Sequence, residues 1–223
     1  MSRLFPPAVF AIGRNYADHA REMKGDLPER PMVFMKNPAS VIGTEQPIIL
    51  PPICDEPEEQ VDYEGELAVV IGRAAKDVAV EDALDFIRGY AVANDVSARW
   101  WQKQGSGGQF CRGKSFDTFC PMSDPVSAST VPDPQALRLT TRLNDEVMQD
   151  ATTAEMIFPI ATLVAELSRG TTLLPGTVIL TGTPSGVGMA RTPPRYLREG
   201  DVIEITIEGV GSLRNPVTRS QYW

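Results

Sequence analysis

Nineteen prolines and eighteen glycines punctuate the 223-residue chain, and their spacing limits its fold more than any other feature. Proline removes a backbone donor and stops helices, while glycine leaves the backbone too free to hold one. The segments left between them are too short for a helix bundle and favour β-rich structure. Short strands are expected at "PAVFAIG", "PMVFMKN" and "PIILPP". "VDYEGELAVVIG" alternates and then becomes continuously apolar, as a strand does when it enters a sheet covered on both faces. "VEDALDFIRG" has helical spacing at Val80, Ala83, Leu84 and Ile87 and reads as a helix ended by Gly89, followed by the strand "YAVAND". "LRLTTRLNDEVMQDA" breaks at Asn144 and Asp145, a hairpin signal. "TTAEMIFPIATLVAELSRG" is the longest helical candidate, with Thr152 and Glu155 suited to a capping box and Pro159 expected to break the helix or sit in its first turn. "TVILTGTPSGVG" reads as a strand running into a glycine-rich turn, and "GDVIEITIEGVGSLRNPV" as a closing strand pair. The expectation is one domain of mixed β-rich α+β class, with the first 30 or so residues less regular.

Charge narrows the partners. Lys+Arg 21 against Asp+Glu 29 leaves a net charge of -8, a field that repels nucleic acid and anionic membrane, so neither is an expected partner. An anionic substrate would need local basic residues to overcome that field. Cys54, Cys111 and Cys120 include no C-x-x-C pair, which argues against a disulfide framework or zinc ribbon and suits a reducing cytosol. The first residues lack the apolar core of a signal peptide, and no apolar run approaches the roughly 20 residues that span a bilayer. A soluble, cytoplasmic protein is expected.

"GQFCRGKS" (108–115) matches the G-x-x-x-x-G-K-[ST] pattern of a phosphate-binding loop. Such a loop works only when a buried strand delivers it and a helix begins at the lysine. Here the preceding "RWWQKQGSGG" is polar and glycine-laden, and Pro121 and Pro125 would soon stop a following helix. The match is a coincidence of letters, and Lys114 needs another explanation.

"DYEGE" carries more chemistry. On a strand, Asp62, Glu64 and Glu66 would share a face. Like charges crowded there must be solvated, protonated or neutralised by a cation. With Asp95 at the end of "YAVAND", three carboxylates from two strands would make an all-oxygen site for Mg²⁺ or Mn²⁺. The competing reading is a solvated edge strand, with Asp62 the member expected to be exposed. His19, the only histidine, lies three residues before Glu22, so one helical turn would pair them as a general base; an incidental surface histidine is the alternative. No G-x-S-x-G or H-E-x-x-H occurs, so a serine hydrolase or zinc protease has no support. Arg14, Lys36, Arg99 and Lys114 are further basic candidates, and a helix would align Asp95 with Arg99 and Gln102. "TGTPSGVG" offers hydroxyls and backbone amides for a carboxylate or keto oxygen.

Taken together, "GRNYADHARE", "VFMKNPAS", "DYEGELAVVIG", "GYAVANDVSAR", "GKSFDTFCP", "MIFPIATLVAELS" and "LTGTPSGVG" resemble the fumarylacetoacetate hydrolase family. They resemble its short single-domain branch, which includes acylpyruvate hydrolases and the isomerase/decarboxylases of homoprotocatechuate (aromatic) catabolism. The resemblance implies a twisted β-roll, a single catalytic domain over residues 1–223, and a homodimer. It implies Glu64, Glu66 and Asp95 as metal ligands and His19 with Glu22 as a water-activating pair on a lid at residues 14–30. Lys114 falls at an active-site lysine, and Lys36, Arg99, Gln102 and Thr183 at substrate-contacting positions. The activity implied is metal-dependent hydrolysis of a C–C bond in a 2,4-diketo acid, releasing pyruvate; the alternative is decarboxylation or isomerisation of a related oxo-diacid such as oxaloacetate. Trp100 and Trp101 depart from the pattern and are a bulky pair able to reshape the pocket.

Overall fold

A computed structural model of the chain describes residues 5–22, 26–58 and 60–220. Eleven strands make two main sheets: β1 (Val9–Gly13), β2 (Met32–Lys36), β3 (Ile48–Leu50), β4 (Gly65–Ile71), β5 (Ile87–Asn94), β6 (Val126–Ser127), β7 (Arg138–Leu143), β8 (Glu146–Thr152), β9 (Val178–Leu180), β10 (Val202–Ile207) and β11 (Gly211–Arg219). The first sheet has the order β6-β5-β4-β9-β1-β2 and the second β8-β7-β10-β11-β3. Pairing is antiparallel except between β1 and β9 and between β11 and β3. The helices are short: α1 (Ala17–Glu22), α2 (Arg99–Gln102), α3 (Phe110–Gly113) and α4 (Ile160–Ser168). This is the expected strand-dominated mixture, without a closed barrel. Among the described residues no helix is long and apolar enough to cross a membrane.

Strand β4 lies at the centre, and all seven of its residues are buried. Its Leu67, Val69 and Ile71 join one core cluster with Leu139, Ile203 and Ile205 of the second sheet, whereas Ala68 and Val70 join another with Val9, Ala91 and Val178. The period of two therefore feeds two cores, which is why the stretch reads as continuously apolar. Each large apolar side chain so buried contributes roughly 1.5–3 kcal/mol.

Four local expectations are corrected. "VDYEGELAVVIG" is not one strand: Val61–Asp62 pairs with Ser97–Ala98 as a separate short ladder before β4 begins. Val80–Phe86 forms a 3-10 helix with Val80 and Leu84 about half exposed, packed against α4. Gly89 does not end it but lies within β5, where a Cβ would sit 2.1 Å from the Val126 carbonyl oxygen; the glycine admits the edge strand β6. Asp95 is not on a helix with Arg99, since only Arg99–Gln102 is helical. The hairpin at Asn144 is as read, with Asn144 at φ 54. Thr152 caps a short 3-10 turn (Thr153–Glu155), and Pro159 starts α4 rather than interrupting it. Strand β1 and helix α1 form where a strand and a helical turn were read, and residues 26–31 contain no helix or strand.

Candidate active site

The site grows from the open end of the β4–β5 ladder. Gly65 pairs with Asn94 and Glu66 with Ala93, and one further rung forms where the Asp95 N–H donates to the Glu64 carbonyl at 2.9 Å. Glu64 and Asp95 thus face each other across the strand ends, with Glu66 one pleat further in. One oxygen from each of the three carboxylates lies within 4.8 Å of the others, and all three residues are buried. Gly65 separates the two glutamates because the second sheet passes close by: a Cβ there would meet the Thr141 hydroxyl at 2.3 Å.

Three cations brace these acids. Lys114 Nζ lies 2.7 Å from both Glu64 and Asp95, Lys36 Nζ lies 2.5 Å from the other Asp95 oxygen, and Arg99 Nη1 lies 2.7 Å from Glu64. Burial alone would raise the Glu64 carboxyl, but Lys114, Arg99 and His19 outweigh it and hold Glu64 well below the usual range. Burial would likewise lower the Lys114 ammonium, yet Asp95 and Glu64 keep it raised. Glu66 goes the other way: burial and the negative charges of Asp95 and Glu64 push it well above the usual range, against the pull of Lys114 and the Gly182 amide. Three converging hard oxygen donors fit a divalent ion such as Mg²⁺ or Mn²⁺, which would relieve the mutual repulsion that raises Glu66. The solvated edge-strand reading of these acids is excluded by their burial.

Helix α1 supplies the second component. His19 Nδ1 lies 3.2 Å from Glu22 Oε2, and the other Glu22 oxygen accepts from the Gly186 amide at 2.9 Å. The Asn15 side chain fastens the start of α1 by donating to the Thr181 and Phe158 carbonyls (2.7 and 3.1 Å) and accepting from the Phe158 amide at 2.8 Å. Residues 23–25 of the expected lid lie outside the described residues.

The turn at residues 181–188 uses its three glycine amides on the protein's own carboxylates. Gly182 donates to Glu66 at 2.7 Å, Gly186 to Glu22 at 2.9 Å and Gly188 to Asp62 at 2.8 Å. Gly182 and Gly186 have φ of +98 and +106, and a Cβ on Gly186 would come within 2.0 Å of the Met148 carbonyl oxygen.

A pocket opens over this arrangement, and His19, Glu64, Arg99, Gln102, Lys114 and Thr183 line it. Glu66 and Asp95 lie behind that lining. Lys36 is sealed away, with a fully buried side chain bonded to Asp95 and the Val96 carbonyl. The Thr183 hydroxyl is already engaged by the Gly65 carbonyl and the Gln149 amide. Lys114 caps the C-terminal end of α3 instead of opening a helix, which removes the phosphate-loop reading. The neighbouring letters have local jobs: Gly113 lets α3 approach α2, where a Cβ would meet the Gln102 amide at 2.4 Å, and Ser115 accepts from the Asn37 amide. Trp100 and Trp101 lie outside this pocket and border a separate hollow with Ile53, Glu56 and Pro57.

Asp62 contradicts its expected exposure. It is fully buried and binds Arg99 through Nε and Nη2 at 2.9 and 2.7 Å. The short Val61–Asp62 ladder sets this contact, and Gln60 Oε1 accepts the Trp100 and Trp101 amides of α2 at 2.6 and 3.3 Å. Gln149, which ties Gly65 to Thr183, and the pocket-lining Lys103 were not singled out in the sequence, whereas Arg14, a basic candidate there, does line the pocket. The signal for Asp62 was present in the apolar surroundings of "VDYEGELAVV"; Gln149 sits in a distant hairpin with none.

Residues 8–218 match the model of the fumarylacetoacetate (FAA) hydrolase C-terminal family. The chain is 46% identical over 212 residues to oxaloacetate tautomerase YisK of Bacillus subtilis, covering 94% of this chain and 69% of that protein. It is 43% identical over 213 residues to the mitochondrial oxaloacetate tautomerase fahd2 of Xenopus laevis, covering 95% of this chain and 66% of that protein. The chain therefore spans about two thirds of these curated relatives. Among solved structures, 5-carboxymethyl-2-hydroxymuconate delta-isomerase of Mycobacterium smegmatis superposes with a TM-score of 0.85 at 44% identity, covering 98% of this chain and 81% of that one. The fumarylacetoacetate hydrolase of Exiguobacterium antarcticum gives 0.86 at 43%, covering 97% and 76%. Most of these names favour the tautomerase or isomerase alternative over the hydrolysis first expected.

Proposed function

The chain belongs to the fumarylacetoacetate hydrolase family, and on that premise we propose that it is a metal-dependent keto–enol tautomerase of an oxo-dicarboxylate of the oxaloacetate type. The observation that carries the reading is that His19, paired with Glu22, and Glu64, the outermost of the three clustered carboxylates, line one pocket, beside relatives named for that activity. Glu64, Glu66 and Asp95 would hold the ion, which supplies Lewis-acid stabilisation of negative charge on the 2-oxo oxygen.

The rest follows from this chain's own side chains. Gln102 turns its Oε1 to Arg99 Nη1 at 3.1 Å, so its amide N–H groups are the ones to offer the substrate's first carboxylate, alongside the remaining Nη2 hydrogen of Arg99. His19 Nδ1 is taken by Glu22, which leaves Nε2 for the substrate. Nε2 accepts the C3 proton as the C–H electron pair becomes the C2–C3 double bond and the carbonyl π pair moves onto oxygen. Protonation of that oxygen completes the enol, and the reverse sequence restores the ketone. No water is consumed. Lys114 offers its ammonium to the same negative charge.

A second reading is favoured by one observation, the structural likeness to a protein named fumarylacetoacetate hydrolase. There His19 Nε2 would deprotonate water for attack on a 2,4-diketo acid. The test is to follow the ultraviolet absorbance of enol-oxaloacetate, and separately pyruvate release from acetylpyruvate, with Mg²⁺ and with EDTA. Metal-dependent acceleration of oxaloacetate ketonisation is the expected result. Pyruvate release without that acceleration would replace the proposal with hydrolysis.

A further inference from the structure

The pocket's cations fall into two sets. Arg99 and Lys114 are each bound to two acids. Arg14 and Lys103 line the same pocket yet make no ion pair with any described residue. Lys103 Nζ has only the Met189 sulfur, at 4.0 Å, and Arg14 has no hydrogen-bond partner among the described residues. In a protein of net charge -8, two uncompensated cations at one pocket are a local reversal of the field.

The backbone reinforces the point. Arg14 has φ 56, a left-handed conformation that costs a non-glycine residue on the order of 1 kcal/mol. It directly follows β1 and stands five residues before His19. Lys103 directly follows α2 and also borders a neighbouring hollow with Tyr196 and Gln104. Burial lowers its ammonium, and the positive charges of Arg99 and Arg14, which line the same pocket, lower it further.

We propose that Arg14 and Lys103 form an outer anion subsite for the second carboxylate of a four-carbon oxo-dicarboxylate, and so select dianionic over monoanionic keto acids. The inference rests on the tautomerase reading for substrate orientation: the second carboxylate is bonded to the carbon that gives its proton to His19. Arg99 and Gln102 hold the first carboxylate.

The test compares oxaloacetate with 2-oxobutyrate, which replaces the second carboxylate by a methyl group, in calorimetric titrations of the Mn²⁺-loaded protein. Wild-type protein binds oxaloacetate more tightly. Arg14→Gly, which suits the left-handed backbone, and Lys103→Gln each lower that preference by about tenfold, while affinity for 2-oxobutyrate stays within about twofold. An unchanged preference, or equal weakening of both ligands, overturns the subsite. Selective binding without oxaloacetate turnover keeps the subsite and sinks the tautomerase reading. Turnover with an unchanged preference does the reverse, and wild-type protein that binds neither acid removes both.

Discussion

Asp62→Asn isolates what a single buried carboxylate does for the site. Asp62 Oδ1 accepts the Tyr63 and Gly188 amides at 2.9 and 2.8 Å, and Oδ2 accepts Arg99 Nε, Arg99 Nη2 and the Met189 amide at 2.9, 2.7 and 3.0 Å. An amide of the same shape must point its NH₂ at one of these donor sets. Arg99 would at the same time lose one of its two acids. Removing one partner of a buried ion pair costs about 3–5 kcal/mol. Arg99 retains Glu64 at 2.7 Å, so the lower end applies: about 3 kcal/mol, or roughly 6–12 °C in Tm for a chain of this size. The same change frees the guanidinium to turn, so KM for a keto acid should rise. Thermal melting and initial rates, with Asp150→Asn in the exposed Arg138 pair as control, read both effects. The control should melt like wild type. An Asp62→Asn protein melting within about 2 °C of wild type would refute the claim that this carboxylate fixes Arg99.

His19→Ala should reduce turnover by about 10²–10⁴-fold while calorimetric Mn²⁺ binding persists; full turnover would remove the histidine from the reaction. Lys114→Met leaves Glu64 and Asp95 without their shared cation, so the metal-free protein should melt lower and gain more from Mg²⁺ than wild type does, measured as Tm with Mg²⁺ against EDTA; an equal gain would refute the bracing role. Asp201 is pushed up by burial but held below the usual carboxylate range by Arg195, Asn144 and the Arg198 amide. A depressed carboxyl contributes its stability above the unfolded pKa of about 3.9 and loses it as pH falls through the folded value. Denaturant titrations should therefore show Asp201→Asn less stable than wild type at neutral pH, with the gap closing below about pH 4.

Which side chains gather was more legible in the sequence than how they are held. Glu64, Glu66 and Asp95 converge because the ladder period and the apolar run of β4 are local features, and His19 with Glu22 needs only one helical turn. Arg99 was legible as a residue but not as a geometry: its place comes from the Val61–Asp62 ladder with Ser97–Ala98, which pairs Val61 with Ala98 and Asp62 with Ser97. Lys36 reads as a pocket residue yet stands behind Asp95, because nothing in "VFMKN" says which side of a carboxylate an ammonium will take. Gly89 ended a helix in the sequence because helical spacing preceded it, whereas the demand it meets comes from β6, far along the chain. The amides of "TGTPSGVG" were read as ligand donors because the partners that consume them lie on three other segments.

Those three glycine amides make residues 181–188 a common datum for the candidate site. The acid bound for the ion, the acid behind the imidazole and the acid behind the guanidinium are each referenced to the same eight-residue stretch of main chain. Side-chain replacements at the rim, such as those at positions 14 and 103, leave that datum untouched, so the lining can drift while Glu66, Glu22 and Asp62 keep their alignment. A change that shifts the main chain there would misplace all three groups together, and no single compensating substitution could restore them.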